Sequence, residues 1–522
     1  MGKVRNVLFI MCDQFRADHL GCAGHPTLQT PHLDRLAARG VRFERAYVQS
    51  AVCGPSRMSY YTGRYMASHG ATWNRVPLSI GEWTIADYLR PLGLDAVLAG
   101  KTHVLPDIEG LDRFGIEAGS ALGALLREGG FRALDRYDGH SPPGAESGYA
   151  AYLRAHGYES ADPWSDFVIA AETPDGKVVS GWNMRHARLP ARVREEHSET
   201  AYMTDQAIRF IAGQGDKPWF LHLSYVKPHW PYMAPAPYHA LYGANQMLPA
   251  NRSMRELDDQ HPVLAAYRQH EESVNFARDE VVATVRPTYM GLISQIDAHL
   301  GRLFQVLNRL GRRDDTLILF TADHGDFLGD HWLGEKEIFY EEAVRVPFIV
   351  VDPDAAADAT RGRVEHRLVE AIDVLPTCLE ALGRPLPNHR LEGRSLLPLL
   401  RDGAATLGWR DAVFSELDYA FRQARVALGR NPHQCRAWMV RTAAWKYVFW
   451  QDFPPQLFDL SNDPHELDDL GRDPARAGVR AELHERLFAW LRGRAMRTTA
   501  GDDYVAARTA THKAHGILFG VW

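Results

Sequence analysis

The run Val52-Cys53-Gly54-Pro55-Ser56-Arg57 holds a Cys, a Pro two residues on and an Arg four residues on. This C-x-P-x-R core is the mark read by a formylglycine-generating system, which oxidises a Cys to an aldehyde. A hydrated aldehyde carries two geminal hydroxyls, one to attack an ester and one to expel the product. Pro55 suits the first turn of a helix, where a missing N–H costs nothing. Cys53 then falls at a helix N-terminus, beside free N–H groups that favour an anion. Arg57, one turn along at i+4, is placed to hold an anionic group or the nucleophile. The same pentapeptide would also serve a small buried Cys ahead of a capped helix. The other chemistry-bearing residues decide between the two.

Those residues fall just past the ends of strand patterns, where an open α/β sheet places its active site. Asp13 and Gln14 follow Val4–Met11, and Lys101 and His103 follow Asp95–Ala99. His229 follows Trp219–Val226 through a Lys227-Pro228 turn, and Asp323 and His324 follow Thr316–Ala322. Any one of them alone could be a capping Asp or a core His; four such strand ends beside Cys53 argue for a site. Asp13, Gln14 and Asp323 offer hard oxygens and His324 an imidazole, a set suited to one divalent cation such as Ca²⁺, Mn²⁺ or Mg²⁺. Cys/His spacing for structural zinc is missing. Lys101 and Lys336 bring positive charge for the non-bridging oxygens of a transferring group. His103 and His229 are the natural proton carriers near neutral pH.

The elements that must position these groups alternate along the chain. Val4–Met11 reads as a buried strand, Thr30–Ala37 as a capped helix, Thr84–Leu92 as a helix and Asp95–Ala99 as a strand. Pro287–Leu310 follows as a long amphipathic helix with Leu292, Ile296, Leu300, Leu303 and Leu307 on one face. Val346–Val351 is a further strand and Val369–Leu382 a helix. Such alternation predicts a large, doubly wound, mostly parallel α/β sheet over residues 1–400. The segments from His103 to about Glu196 and from Met233 to about Val285 read as long functional loops. From about Arg401 the pattern changes to antiparallel strands at Ala412–Leu417 and Trp438–Trp450 and a closing helix at Arg480–Leu491. That predicts a smaller α+β domain over 401–497. The tail 498–522 ends in Ile517-Leu518-Phe519-Gly520-Val521-Trp522, an apolar end that predicts an arm packed on a neighbouring subunit or folded back on its own domain.

The chain has 522 residues, 24% of them charged, and a net charge of −6, so no overall basic field exists to bind nucleic acid or an anionic membrane. Five Cys are too few for a disulfide framework. A cleavable leader and an apolar run of spanning length are both lacking, which predicts a soluble, cytoplasmic protein.

Over nearly its whole length the chain resembles the type I, formylglycine-dependent sulfatases of the alkaline phosphatase superfamily. The resemblance rests on Cys12-Asp13-Gln14-Phe15-Arg16-Ala17-Asp18, on Cys53–Arg57 continuing to Tyr61-Thr62-Gly63-Arg64, and on Gly100-Lys101-Thr102-His103. It continues through Asp323-His324-Gly325-Asp326 to Lys336 and the C-terminal run Gln456–Leu467. Many sulfatases have a second Asp at Gln14 and an Asn at His324. Both substitutions, with Asn74 in Thr72-Trp73-Asn74-Arg75, resemble the bacterial phosphonate monoester hydrolases, known as promiscuous phosphodiesterases. Lys101 and His103 instead keep the sulfatase pattern.

The resemblance implies an alkaline phosphatase-like fold and one cation, Ca or Mn, on Asp13, Gln14, Asp323, His324 and residue 53. It implies a Cys53-derived formylglycine made by a maturation enzyme, and Asn74 as a substrate contact. Arg57 then steadies the nucleophile, His229 and Lys336 serve the leaving group, and His103 deprotonates the second hydroxyl. The expected reaction is hydrolysis of sulfate monoesters, aryl sulfates first, with phosphonate monoesters and phosphodiesters as side substrates. The inverse order is the alternative; a two-zinc phosphatase or a silent binding protein would be the other outcomes. Relatives on the phosphonate branch are tetramers, which implies a homo-oligomer of four or two subunits.

Overall fold

Strand β1, Asn6–Asp13, is buried along its full length, as an unalternating apolar run demands when both faces of a sheet are covered. It lies at the middle of a nine-stranded sheet in a computed structural model that describes residues 4–139, 147–401 and 408–509, with Thr511 and Gly516. The other strands are β2 (Val41–Tyr47), β3 (Ala96–Gly100), β4 (Arg132–Arg136), β7 (Phe220–Pro228), β8 (Thr316–Ala322), β9 (Arg345–Val351), β10 (Arg363–Glu365) and β11 (Val369–Glu370). A separate hairpin is formed by β5 (Ala170–Glu172) and β6 (Val178–Ser180). The order across the large sheet is β10-β2-β9-β8-β1-β7-β3-β4, with β11 also on β2. All pairings are parallel except those of β9 with β2 and β8.

Helices α1 (Pro31–Arg39), α3 (Glu199–Gly213) and α4 (Asp279–Arg309) pack together against the sheet. Helix α2 (Cys53–Thr62) packs elsewhere, with α5 (Val374–Ala381). The mostly parallel, helix-covered sheet agrees with the predicted class. Among the described residues no helix is long and apolar enough to cross a membrane.

A four-stranded antiparallel sheet follows, from β12 (Ala412–Asp418), β13 (Arg436–Thr442), β14 (Trp445–Trp450) and β15 (Gln456–Asp459), covered by α6 (Ala477–Arg492). Trp490 of α6 stacks flat on Phe414 at 4.4 Å. Buried Lys446 of β14 reaches the segment leading into β9 of the large sheet: its Nζ meets Glu466 at 2.6 Å, Glu341 at 3.0 Å and the Phe339 carbonyl at 2.8 Å. The small sheet thereby braces the segment that follows Lys336.

Three expectations are corrected. The stretch after His103 is not only loop, for it supplies edge strand β4, whose sequence Arg-Ala-Leu-Asp-Arg is part exposed and shows no apolar run to read. The long helix starts at Asp279, with Pro287 inside it. An interior proline costs roughly 3 kcal/mol. Here the preceding residue, buried Arg286, anchors the turn on Asp330 and on the carbonyls of Leu328, Leu248 and Pro249. Finally, Val369–Glu370 pairs with β2 before the helix begins at Val374. The apolar end Ile517–Trp522 lies outside the described residues.

Candidate active site

Cys53 is the first residue of α2, as Pro55 in the opening turn requires. The whole helix is buried, and Gly54 N–H donates to Asn74 Oδ1 at 2.7 Å, so Asn74 caps the helix beside the cysteine. Glycine at 54 keeps this bond in place, since a Cβ there would stand 2.9 Å from that same oxygen and push the Asn74 side chain aside. The strand ends converge on this point. Asp13 closes β1, Lys101 follows β3, His229 follows β7 and Asp323 follows β8. The His229 N–H donates back to the Val226 carbonyl at 3.2 Å, which closes the expected turn at Lys227-Pro228. Seven of the nine non-glycine residues with positive φ among the described residues fall in these segments, at Gln14, His103 and five positions from Leu328 to Glu337. Such conformations cost of order 1–3 kcal/mol each and cluster where side chains must be aimed.

Asp13, Cys53, Asp323 and His324 each bring one ligand atom to within 4.8 Å of the others, all four residues buried. His324 Nδ1 lies 2.9 Å from the Gly325 carbonyl and must donate to it, which leaves Nε2 with its lone pair facing Cys53 Sγ at 3.1 Å. Burial also lowers the His324 pKa, so the ring stays neutral, as a ligand must. Burial would raise Asp13, but the charges of Lys101 and Arg57 hold it well below the usual carboxylate range. Two hard carboxylates, a neutral imidazole and residue 53 fit a single divalent cation. Gln14, expected among them, is close by, but its Oε1 accepts from Lys336 Nζ at 2.9 Å while its amide nitrogen meets Asp326 Oδ2 at 2.5 Å.

Burial, then the Asp13 carboxylate, push the Cys53 thiol up to about 12, so at neutral pH it is a thiol and not a thiolate. Three cations surround it. Arg57, fully buried, donates to Asp323 Oδ2 at 2.7 Å, to the Lys101 carbonyl and to Ser224 Oγ. Lys101 is ion-paired to Asp13. Lys336 Nζ lies 3.0 Å from His229 Nε2. Burial opposes its charge, and the neighbouring carboxylates Glu335, Asp13 and Asp323 favour it. His229 Nδ1 sits 2.7 Å from the Trp230 carbonyl, so it donates there and Nε2 accepts from the lysine. His103 stands two residues past Lys101, half-buried, with φ 56° and its N–H on Asp138 Oδ1 at 3.3 Å.

Several supporting residues carry no sequence signal of their own. Asp326, raised to about 6 by burial, and Tyr232, 2.7 Å from it, orient the Gln14 amide. Lys227 ties the loop carrying His229, donating to the His229 carbonyl at 3.3 Å and the Pro231 carbonyl at 2.9 Å. Only for Asp326, inside the Asp323–Lys336 motif, did a hint exist.

Comparison with known proteins supplies the family. The profile of the family described as Sulfatase matches residues 5–117 and 118–384, and that of "N-sulphoglucosamine sulphohydrolase, C-terminal" matches residues 329–492. The multifunctional alkaline phosphatase superfamily protein PehA of Trinickia caryophylli is 35% identical over 95% of this chain and 96% of its own. An arylsulfatase of Clostridium perfringens is 28% identical over 89% and 90%. The solved phosphonate monoester hydrolase of Silicibacter pomeroyi superposes with a TM-score of 0.83 at 31% identity, covering 95% of this chain and 96% of that one. Its counterpart from Agrobacterium radiobacter gives 0.82 at 30%, covering 94% and 95%. The chain is thus an ester-bond hydrolase belonging to the sulfatase family of the alkaline phosphatase superfamily, near the branch of the arylsulfatases and phosphonate monoester hydrolases.

Proposed function

We propose that the protein hydrolyses sulfate monoesters, aryl sulfates first, and accepts phosphonate monoesters and phosphodiesters at the same site. The observation that carries this reading is the pairing of one four-residue donor cluster, the only one among the described residues, with two ammonium groups, Lys101 and Lys336. All three ester classes carry one negative charge at the transferring group, and positioning plus charge stabilisation serves each of them.

Asp13, Gln14, Asp323, His324 and residue 53 would hold the cation, Ca or Mn, which when bound supplies Lewis-acid charge at the ester and lowers the pKa of an oxygen nucleophile. Position 53, converted to formylglycine by a maturation enzyme, supplies the geminal hydroxyls; the protonated, buried thiol is itself poorly suited to attack. Arg57 fixes Asp13 and Asp323 and keeps positive charge beside residue 53. Lys101 faces the non-bridging oxygens. The leaving oxygen takes its proton from the Lys336–His229 pair, where the lysine holds the proton at rest. His103 removes a proton from the second hydroxyl. Asn74, with its oxygen committed to Gly54, offers its amide N–H groups to a substrate oxygen.

The inverse preference, for phosphonate monoesters, is favoured by Gln14, His324 and Asn74. The ratio of kcat/KM for an aryl sulfate to that for the matching aryl phosphonate decides the order. A ratio above one supports the proposal, and a ratio well below one overturns it.

A further inference from the structure

Trp182 is 46% exposed, uncommon for the largest side chain in a family of soluble folds, and it sits against the leaving-group machinery. Its ring meets Trp230 edge-on at 5.2 Å, and Trp230 packs on the neighbouring His229 ring at 4.5 Å. Beside Trp182 opens a cavity of about 690 Å³, bounded by Asn183 and Met184 on one side and by Glu271, Asn275 and Arg278 on the other. Of the second wall, Arg278 precedes α4, and Glu271 and Asn275 belong to the short helix Glu271–Phe276. That helix is joined to the acid segment: Ser273 Oγ accepts the Gly334 N–H at 3.2 Å, two residues before Lys336. The join is tight, since a Cβ on Gly334 would stand 2.6 Å from the Glu272 carbonyl. One wall of the cavity is therefore a single ring contact from the neighbour of His229, and the other is one hydrogen bond from the segment that ends in Lys336.

We infer that this cavity is the leaving-group subsite, and that it takes an aromatic alcohol larger than one ring and bearing oxygen substituents. The inference rests on the proposed ester hydrolysis, in which Lys336 and His229 serve the leaving oxygen. An ester held at residue 53 would direct its alcohol past that pair, and each wall of this cavity is tied to one member of it, through Trp230 to His229 and through Gly334 to the Lys336 segment. Its volume lies within the range of small-molecule sites. Trp182 supplies an aromatic face, on which a flat ring gains from stacking in addition to area burial. Asn183, Asn275 and Arg278 supply amide and guanidinium donors for oxygen substituents. Arg278 is held at the rim by Asn275 Oδ1 at 2.9 Å and Glu280 at 3.3 Å.

The test uses the matured, metal-loaded enzyme with 4-nitrophenyl sulfate, 4-methylumbelliferyl sulfate and inorganic sulfate. Trp182→Ala is expected to lower kcat/KM for the two-ring ester by about tenfold, and that for the one-ring ester by no more than about threefold. Inhibition by inorganic sulfate, which has no alcohol part, should be unchanged, and Trp182→Phe should restore most of the loss. Equal losses on both esters, weakened sulfate inhibition, or no change with the two-ring ester would each overturn the subsite. If wild-type enzyme turns over neither sulfate, the matching 4-nitrophenyl and 4-methylumbelliferyl phenylphosphonates replace them. Turnover of the phosphonates alone overturns the sulfate preference while leaving the Trp182 comparison readable; no turnover of any ester overturns both.

Discussion

Two buried clusters of charge lie on the same few segments of this protein and do different work. Behind the site, His331 lies between Glu256 at 2.7 Å and Glu342 at 3.3 Å and stacks flat on Tyr340, ring centres 3.7 Å apart. Close by, Asp330 receives both Arg16 and Arg286. In this cluster each charge is answered by an opposite one. Around Cys53 the same kinds of residue are arranged otherwise. Arg57 and Lys101 answer only part of Asp13 and Asp323, and the remaining donor atoms converge on one point with Cys53 Sγ and the His324 lone pair. Buried charge is common to both, so it does not mark a site; donors left converging on a common point do. A closed network serves stability, and an open one serves chemistry.

Substitutions on the two sides should separate these roles. Cys53→Ala should reduce kcat/KM by at least about 10³-fold, since the nucleophile and one donor disappear together, while the melting temperature stays near wild type. A residual activity within tenfold of wild type would place the chemistry elsewhere. Lys336→Ala should cost about 10²–10³-fold on esters of weakly acidic alcohols, with the loss shrinking as the leaving group becomes more acidic. A loss independent of the leaving group would remove Lys336 from protonation.

The closed cluster should respond in stability. His331→Gln removes one partner of a buried ion-paired set and should cost about 3–5 kcal/mol, with little change in kcat/KM of the folded enzyme. Burial lowers the His331 pKa, but Glu342 and Glu256 outweigh it and raise it from 6.5 to about 10. The stabilisation from this raised pKa is fully present below pH 6.5, declines above it and is gone once the pH exceeds about 10. Thermal melts from pH 6 to 10 should therefore fall more steeply for wild type than for His331→Gln; parallel curves would contradict the assignment. Smallest of all, Tyr232→Phe removes one hydrogen bond to Asp326 and should lower kcat only a few-fold, by an expected loss of about 1 kcal/mol.

The strand-end groups were legible because each follows a run that is buried on both faces, and such runs show themselves as unbroken apolar sequence. Thr316–Ala322 matches its strand residue for residue, and Asp323 follows directly. What stayed hidden has no periodic signal. Strand β4 is charged because it sits at an edge, and Pro287 looks like a helix start until Arg286 is seen anchoring the turn from the side. The position of Gln14 could be read, but not what holds its amide, since Tyr232, Asp326 and Lys336 lie 218, 312 and 322 residues away in sequence. Trp182 was passed over inside a long loop, since only the fold brings it to Trp230, the neighbour of His229.

The central claim is that the open cluster holds one divalent cation beside a formylglycine made from Cys53. Mass spectrometry of active protein, produced with a maturation enzyme and measured first native and then denatured, tests both parts on one sample. The account predicts one divalent ion per chain in the native spectrum and, once denaturation has dehydrated the geminal diol to the aldehyde, a polypeptide about 18 Da lighter than the encoded sequence, with both lost in Cys53→Ala. Fully active protein that carries two metal ions per chain, or that keeps the mass of an unmodified thiol, would contradict it.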